Sequence, residues 1–203
     1  MVDHQIRCAE TATPRRRVRK HGPAPRRPRP PSALDLVDPA RAVLTYGEAS
    51  AWPRGTDDPP GDELLHGVAL RPATGERFEA TIAPSRAVAP GFFHHAELPR
   101  DALDGARARD DFARAWRDFV RPDDVLLTWG AYATDLLAAE GLVPGARVDL
   151  RVEQARRAHA RPGVLEELAP GCADAPLGAG RAGRRLAALA RVYAALRGDQ
   201  RAG

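Results

Sequence analysis

Lysine is nearly missing from this chain: Lys20 is the only one among 31 basic residues. Such a skew reflects a GC-rich genome more than selection for guanidinium chemistry, so arginine counts alone carry no functional weight. Cysteine is scarce too. Cys8 and Cys172 make neither a disulfide framework nor a CxxC zinc pattern, and a reducing cytoplasm is the compartment this fits. No apolar run approaches the roughly 20 residues that span a bilayer, which argues against a membrane protein. Residues 1–19 lack the apolar stretch of a secretory signal.

What remains is a chain of 203 residues, 43% hydrophobic and 29% charged, with room for one ordinary domain and a tail. The net charge of +4 is unevenly spread. Residues 1–32 hold nine basic groups against Asp3 and Glu10, a balance of +7; the rest sets 22 basic against 25 acidic groups, or −3. The same stretch contains six prolines and few large apolar side chains. It cannot bury enough surface to offset its ordering entropy. Residues 1–38 are therefore expected to be a disordered Pro/Arg-rich arm or linker, residues 39–198 an α/β domain, and residues 199–203 a flexible tail.

Within the domain, residues 42–46 read as a short strand ending at Gly47, and 51–61 as an irregular loop. Residues 63–70 and 77–82 read as second and third strands around a turn at 72–75, giving a β-meander. Residues 84–99 read as a long loop. A helix over 110–120 puts Phe112, Ala115, Trp116 and Phe119 on one face. Residues 125–129 form a continuous apolar run suited to a strand buried on both sides. Gly130 then turns into a helix ended by Gly141, 148–150 is a short strand, and 152–160 and 163–168 are short helices. The last helix, 181–196, carries Leu186, Leu189, Val192, Tyr193 and Leu196 on one stripe. The order βββαβα, followed by helix, implies a mixed sheet with helices packed on it.

That order, with several local phrases, resembles the DnaQ-like or DEDD 3'-5' exonucleases of the ribonuclease-H-like superfamily over residues 43–196. Residues 63–81, with Gly75-Glu76 at the turn, resemble the family's second and third strands. Residues 90–105, with His94, His95 and Leu98, are similar to the loop and helix start that follow. Residues 125–132 (VLLTWGAY) resemble a strand leading into Trp-Gly-x-Tyr-Asp, and 147–150 the strand that ends in an Asp. The resemblance implies a three-layer ribonuclease-H-like α/β fold. It also implies two divalent cations about 4 Å apart, held by four carboxylates, with a His or Tyr as base.

The chain departs from that chemistry at the positions that matter. Where the family has Asp-x-Glu, Tyr46-Gly47-Glu48 stands. Trp-Gly-x-Tyr-Asp reads Trp129-Gly130-Ala131-Tyr132-Ala133, and Asp135 lies two residues on, about 200° around a helix. The closing His-x-Ala-x-x-Asp-Ala falls on residues 178–184, where Gly178 and Gly183 replace base and acid, with arginines crowding the place of the metal. The resemblance, so altered, implies a catalytically inactive module with no metal or other cofactor. It also resembles the accessory C-terminal module of DTW-type tRNA-uridine aminocarboxypropyltransferases, although no residue here shows the DTW motif. The competing expectation is a live exonuclease using Mg2+ or Mn2+ on relocated ligands: Glu48, Asp135 and Asp149, with Asp62 or Glu63.

The expected partner is a nucleic acid, RNA in the first place, or a protein. Contacts to phosphate are assigned to Arg15, Arg16, Arg17, Arg19, Lys20, Arg26, Arg27 and Arg29 of the arm. The glycine-rich start of the last helix adds Arg181, Arg184 and Arg185, in a geometry able to take an anion. Asp149 reads more readily as a helix cap than as a ligand, and Glu48 as a solvated or paired acid. The adjacent His94 and His95 point apart, so a packing role in the loop is expected of them rather than metal binding. Trp129 is expected in the core. Trp52, in a Pro-rich loop, is equally compatible with base stacking.

Overall fold

The computed structural model describes residues 31–170 and 175–198. The basic groups from Arg15 to Arg29, the proposed tail and both cysteines lie outside the described residues.

The five-stranded sheet has the order β3-β2-β1-β4-β5, with β1 (Ala42–Ser50), β2 (Glu63–Arg71), β3 (Glu76–Thr81), β4 (Val125–Thr128) and β5 (Arg147–Asp149). The first three strands are consecutive and antiparallel, the expected meander; β4 and β5 add in parallel beside β1. Between β3 and β4 come α1 (Phe92–Ala96) and α2 (Arg109–Phe119), and α3 (Tyr132–Ala139) links β4 to β5. Then follow α4 (Leu150–Ala158), α5 (Leu165–Leu168) and the long α6 (Gly180–Gly198).

Alternation along the strands builds three layers. Val43, Leu64, Ala69 and Ala80 face α2 and α3, where Phe112, Trp116, Phe119 and Leu137 are buried against them. Phe78 stands edge-on to Trp116 at 5.3 Å between ring centres, so the predicted aromatic stripe of α2 is core. On the opposite face Leu44, Val68 and Leu70 meet the predicted stripe of α6, Leu186, Leu189, Val192, Tyr193 and Leu196. One buried ion pair crosses the structure: both terminal nitrogens of Arg71 donate to Asp124 at 2.8 Å, and one also donates to the Phe119 carbonyl.

Several boundaries move from their sequence positions. β1 continues through Gly47 to Ser50, because Gly47, Glu48 and Ser50 find partners on β2 despite a bulge after Glu48. Residues 84–99 are not all loop. Phe92 and Ala96, one turn apart, bury a face of α1, while His94 and His95 are left exposed rather than packed. The packed chain also begins before residue 39: Leu34 and Val37 belong to the same core as α6, and Arg197 donates to the Leu34 and Val37 carbonyls. Trp129 is only half-buried, at the margin of that core. Among the described residues no helix is long and apolar enough to cross a membrane.

Candidate functional site

The register of β1 on β2 lines up Leu44 with Leu70, Tyr46 with Val68 and Glu48 with His66, all on the face covered by α6. The first pairs are apolar; towards the end of the strand they become polar. There α6 begins, and Arg181, Arg184 and Arg185, spaced three and four apart, project from its first turns.

Each of the three arginines meets a carboxylate from a different element. Arg181 lies 3.7 Å from Glu48 of β1. Arg184 makes a forked pair with Glu97, which caps α1 in a left-handed conformation with φ of 54°. The Arg185 Nε donates to Glu166 of α5 at 2.5 Å, while one of its terminal nitrogens donates to the Tyr46 hydroxyl. Its guanidinium also stands 5.3 Å from the centre of the Tyr46 ring, within cation–π range.

Burial acts on the two β1 groups. It pushes the Glu48 carboxyl above the usual range, with Arg181 and Arg185 opposing. It also raises the Tyr46 phenol, with Arg185 again opposing. Glu48 Oε1 is buried and accepts no hydrogen bond. Across the strand, fully buried His66 bonds Glu79 through Nε2 at 3.0 Å, and burial holds the imidazole below its ordinary value against the pull of Glu79. The same Glu79 accepts the Ala179 N–H at 2.8 Å, tying β3 to the loop that opens α6.

The relocated carboxylates do not assemble. Asp135 pairs with Arg147 at 2.5 Å and is more than half exposed. Asp149 caps α4, accepting from the Arg151 N–H at 2.9 Å and the Gly130 N–H at 3.0 Å, the capping role expected of it. Asp62 accepts from the Tyr132 hydroxyl, and Glu63 is held by Ser85 and Arg109. Ala133, by contrast, does face β1: its Cβ lies 3.4 Å from where a side chain on Gly47 would begin. The helical face argument for residues 133 and 135 therefore holds. Among the described residues no three His, Cys, Asp or Glu side chains gather as a metal-binding group.

Beside β1 a cleft of about 330 Å3 opens at the carboxyl end of β4, where its pairing with β1 stops at Leu44, and is lined by Tyr46, Gly47, Trp129, Tyr132, Thr134 and Arg151. In open parallel arrangements this end, where strand order reverses, is where ligands enter. The indole nitrogen of half-buried Trp52 has no partner.

Sequence reasoning foresaw arginines near the β1 acid, but not what holds them. Glu97 and Glu166 lie 87 and 19 residues from their partners. The one local signal is the spacing of Arg181 and Arg185, one helical turn apart.

A mixed sheet flanked by helices on both faces, with this strand order, is the ribonuclease-H-like exonuclease fold. Solved structures agree. The nuclease domain of 3'hExo, a DEDDh family member bound to rAMP, is similar with a TM-score of 0.58 and 15% identity, over 79% of this chain and 92% of that one. S. pombe Pop2p, with Mg2+ and Mn2+ bound, gives a TM-score of 0.55 at 12% identity, over 81% of this chain and 85% of that one. A 3'-exonuclease in 3'-end-specific recognition of a histone mRNA stem-loop gives 0.54 at 14%, over 79% and 81%. No protein-family model matches the chain, and no curated protein matches it.

Proposed function

We propose that this is a catalytically inactive exonuclease-like module that binds nucleic acid, RNA in the first place. One observation carries the reading: Arg181 and Arg185 stand against Glu48 and Tyr46, the two β1 positions where the fold's nucleases carry acids by resemblance. Two unit charges about 4 Å apart interact by about 4 kcal/mol near a protein surface. A divalent cation so placed meets about twice that repulsion from each guanidinium, and of the two β1 positions only Glu48 offers it a carboxylate. The site's residues do not fit a two-metal centre.

The exonuclease neighbours seen with rAMP and with an mRNA stem-loop support the choice of RNA as ligand. The arm, from Arg15 to Arg29, supplies the phosphate contacts that do not depend on sequence. A role as the accessory portion of a DTW-type tRNA-modifying protein rests on the sequence resemblance.

The test is degradation of labelled single-stranded RNA and DNA by the full chain with Mg2+ or Mn2+. No shortening is expected. Metal-dependent shortening that Glu48→Ala abolishes would overturn the reading. Binding is tested by salt titration of the full chain against one lacking residues 1–32. If roughly five arm groups engage, the full chain shows a log-log slope of about −3 to −4 on single strands; an unchanged affinity without the arm removes it from the function.

A further inference from the structure

We infer that Glu97 and Glu166 are exchangeable internal counter-anions, which mask Arg184 and Arg185 until a phosphate-bearing ligand displaces them. The identity of that ligand as RNA rests on the function proposed above; the exchange itself does not.

The three ion pairs on α6 look alike as contacts but differ in how they are held. The Glu48 side chain is 10% exposed, so Arg181 has a partner fixed within β1. Glu97 and Glu166 are 42% and 40% exposed. Either carboxylate is already partly hydrated and can swing into water without leaving a buried niche, and exposed pairs contribute on the order of 1 kcal/mol or less. Of the two arginines, the partner of Glu166 is the less free. Arg185 is 17% exposed and stays anchored by the Tyr46 hydroxyl and ring when Glu166 departs. A guanidinium fork binds phosphate with the same planar geometry as carboxylate, so the departing Glu leaves a preformed receptor.

A further feature favours a ligand here. Glu97 stays ionised because the Arg184 hydrogen bond and charge hold its carboxyl below the usual range. Burial pushes Glu166 up, but the hydrogen bond and charge of Arg185 outweigh it. Both acids are thus true anions competing for the forks.

The experiment uses the full chain and two probes, inorganic tripolyphosphate and a labelled single-stranded oligoribonucleotide. Arginine Nε resonances are followed by NMR during the tripolyphosphate titration. Those of Arg184 and Arg185 are expected to shift more than that of Arg181, and Glu97→Gln and Glu166→Gln each to tighten binding about two- to fivefold, the range exposed pairs contribute. With RNA, the doubly substituted protein should show a log-log salt slope steeper by about 1.4, two contacts at about 0.7 each. Unaltered tripolyphosphate affinity in both variants, or shifts confined to other arginines, overturns the exchange. Wild type that binds tripolyphosphate as described but not RNA sinks the proposed function and leaves the exchange standing. If the double variant loses its dispersed spectrum, Glu97→Gln alone decides, because the Glu97 side chain is 42% exposed and Gln keeps its size and its backbone cap on α1.

Discussion

At residue scale, Glu48 combines an acid's charge with a hydrophobic residue's burial. A carboxyl raised in the fold favours its protonated form, so the wild type loses stability as pH climbs from the ordinary glutamate range through the folded value. Glu48→Gln has no charge to bury and escapes that loss. Thermal melts from acid to neutral pH should therefore show the variant gaining on the wild type as pH rises; parallel curves would mean the burial cost is fully met by Arg181. Asp124 behaves oppositely. Burial pushes it up, but the hydrogen bonds and charge of Arg71 bring it below its ordinary value, so its stabilising effect is present above the unfolded value and lost as pH falls through the folded one. Asp124→Ala leaves a fully buried guanidinium with only the half-exposed Glu76 as a charged partner, 3.5 Å away, and should cost about 3 kcal/mol in denaturant unfolding. That positions 46 and 133 hold Tyr and Ala rather than acids is legible in the sequence because it needs only a comparison of residue types. The Arg71–Asp124 pair is not, since its members are 53 residues apart and nothing local distinguishes either.

At the scale of elements, α2 and α6 are readable because each carries a long apolar stripe with charges opposite. α1 is not, since five residues are too few to show a period. The glycine-rich start of α6 suggested an anion loop, and the structure accounts for its glycines by close packing. A Cβ on Gly183 would sit 1.9 Å from the Gly178 carbonyl oxygen, which curls back so that Leu177 N–H bonds the Gly183 carbonyl at 3.0 Å. Gly180 has a φ of 55°, and a Cβ there would lie 2.4 Å from the Ala96 carbonyl oxygen. Gly183→Ala must therefore push the 177–179 loop away, a strain of about 1–3 kcal/mol on the scale of overpacked cores. The same displacement breaks the Glu79 contact to Ala179. Hydrogen exchange should report it as faster exchange at residues 177–183 with β1 protection unchanged; unchanged exchange there would mean the loop tolerates the methyl.

At the scale of the whole molecule, the proposed inactive reading has a consequence separate from catalysis. A ligand that binds only the folded state stabilises it by RT ln(1 + [L]/Kd), about 2.7 kcal/mol at a hundredfold excess over Kd. For domains of about 150–250 residues each kcal/mol moves Tm by about 2–4 °C. A nuclease whose two-metal site draws four acids together should therefore melt about 5–11 °C higher in saturating Mg2+ or Mn2+ than in chelator. Here the cationic partners of β1 are covalent parts of α6, present at all times and in fixed ratio. Their contribution to stability cannot be removed by EDTA or increased by added metal. The full chain is expected to melt at the same temperature in chelator and in millimolar Mg2+ or Mn2+. Arg185→Ala, which takes away one of the two permanent cations beside β1, should lower Tm under both conditions alike. A metal-dependent rise in the wild type, lost in Glu48→Ala, would show that a divalent ion displaces the guanidiniums from β1, and the inactive reading would fall with it.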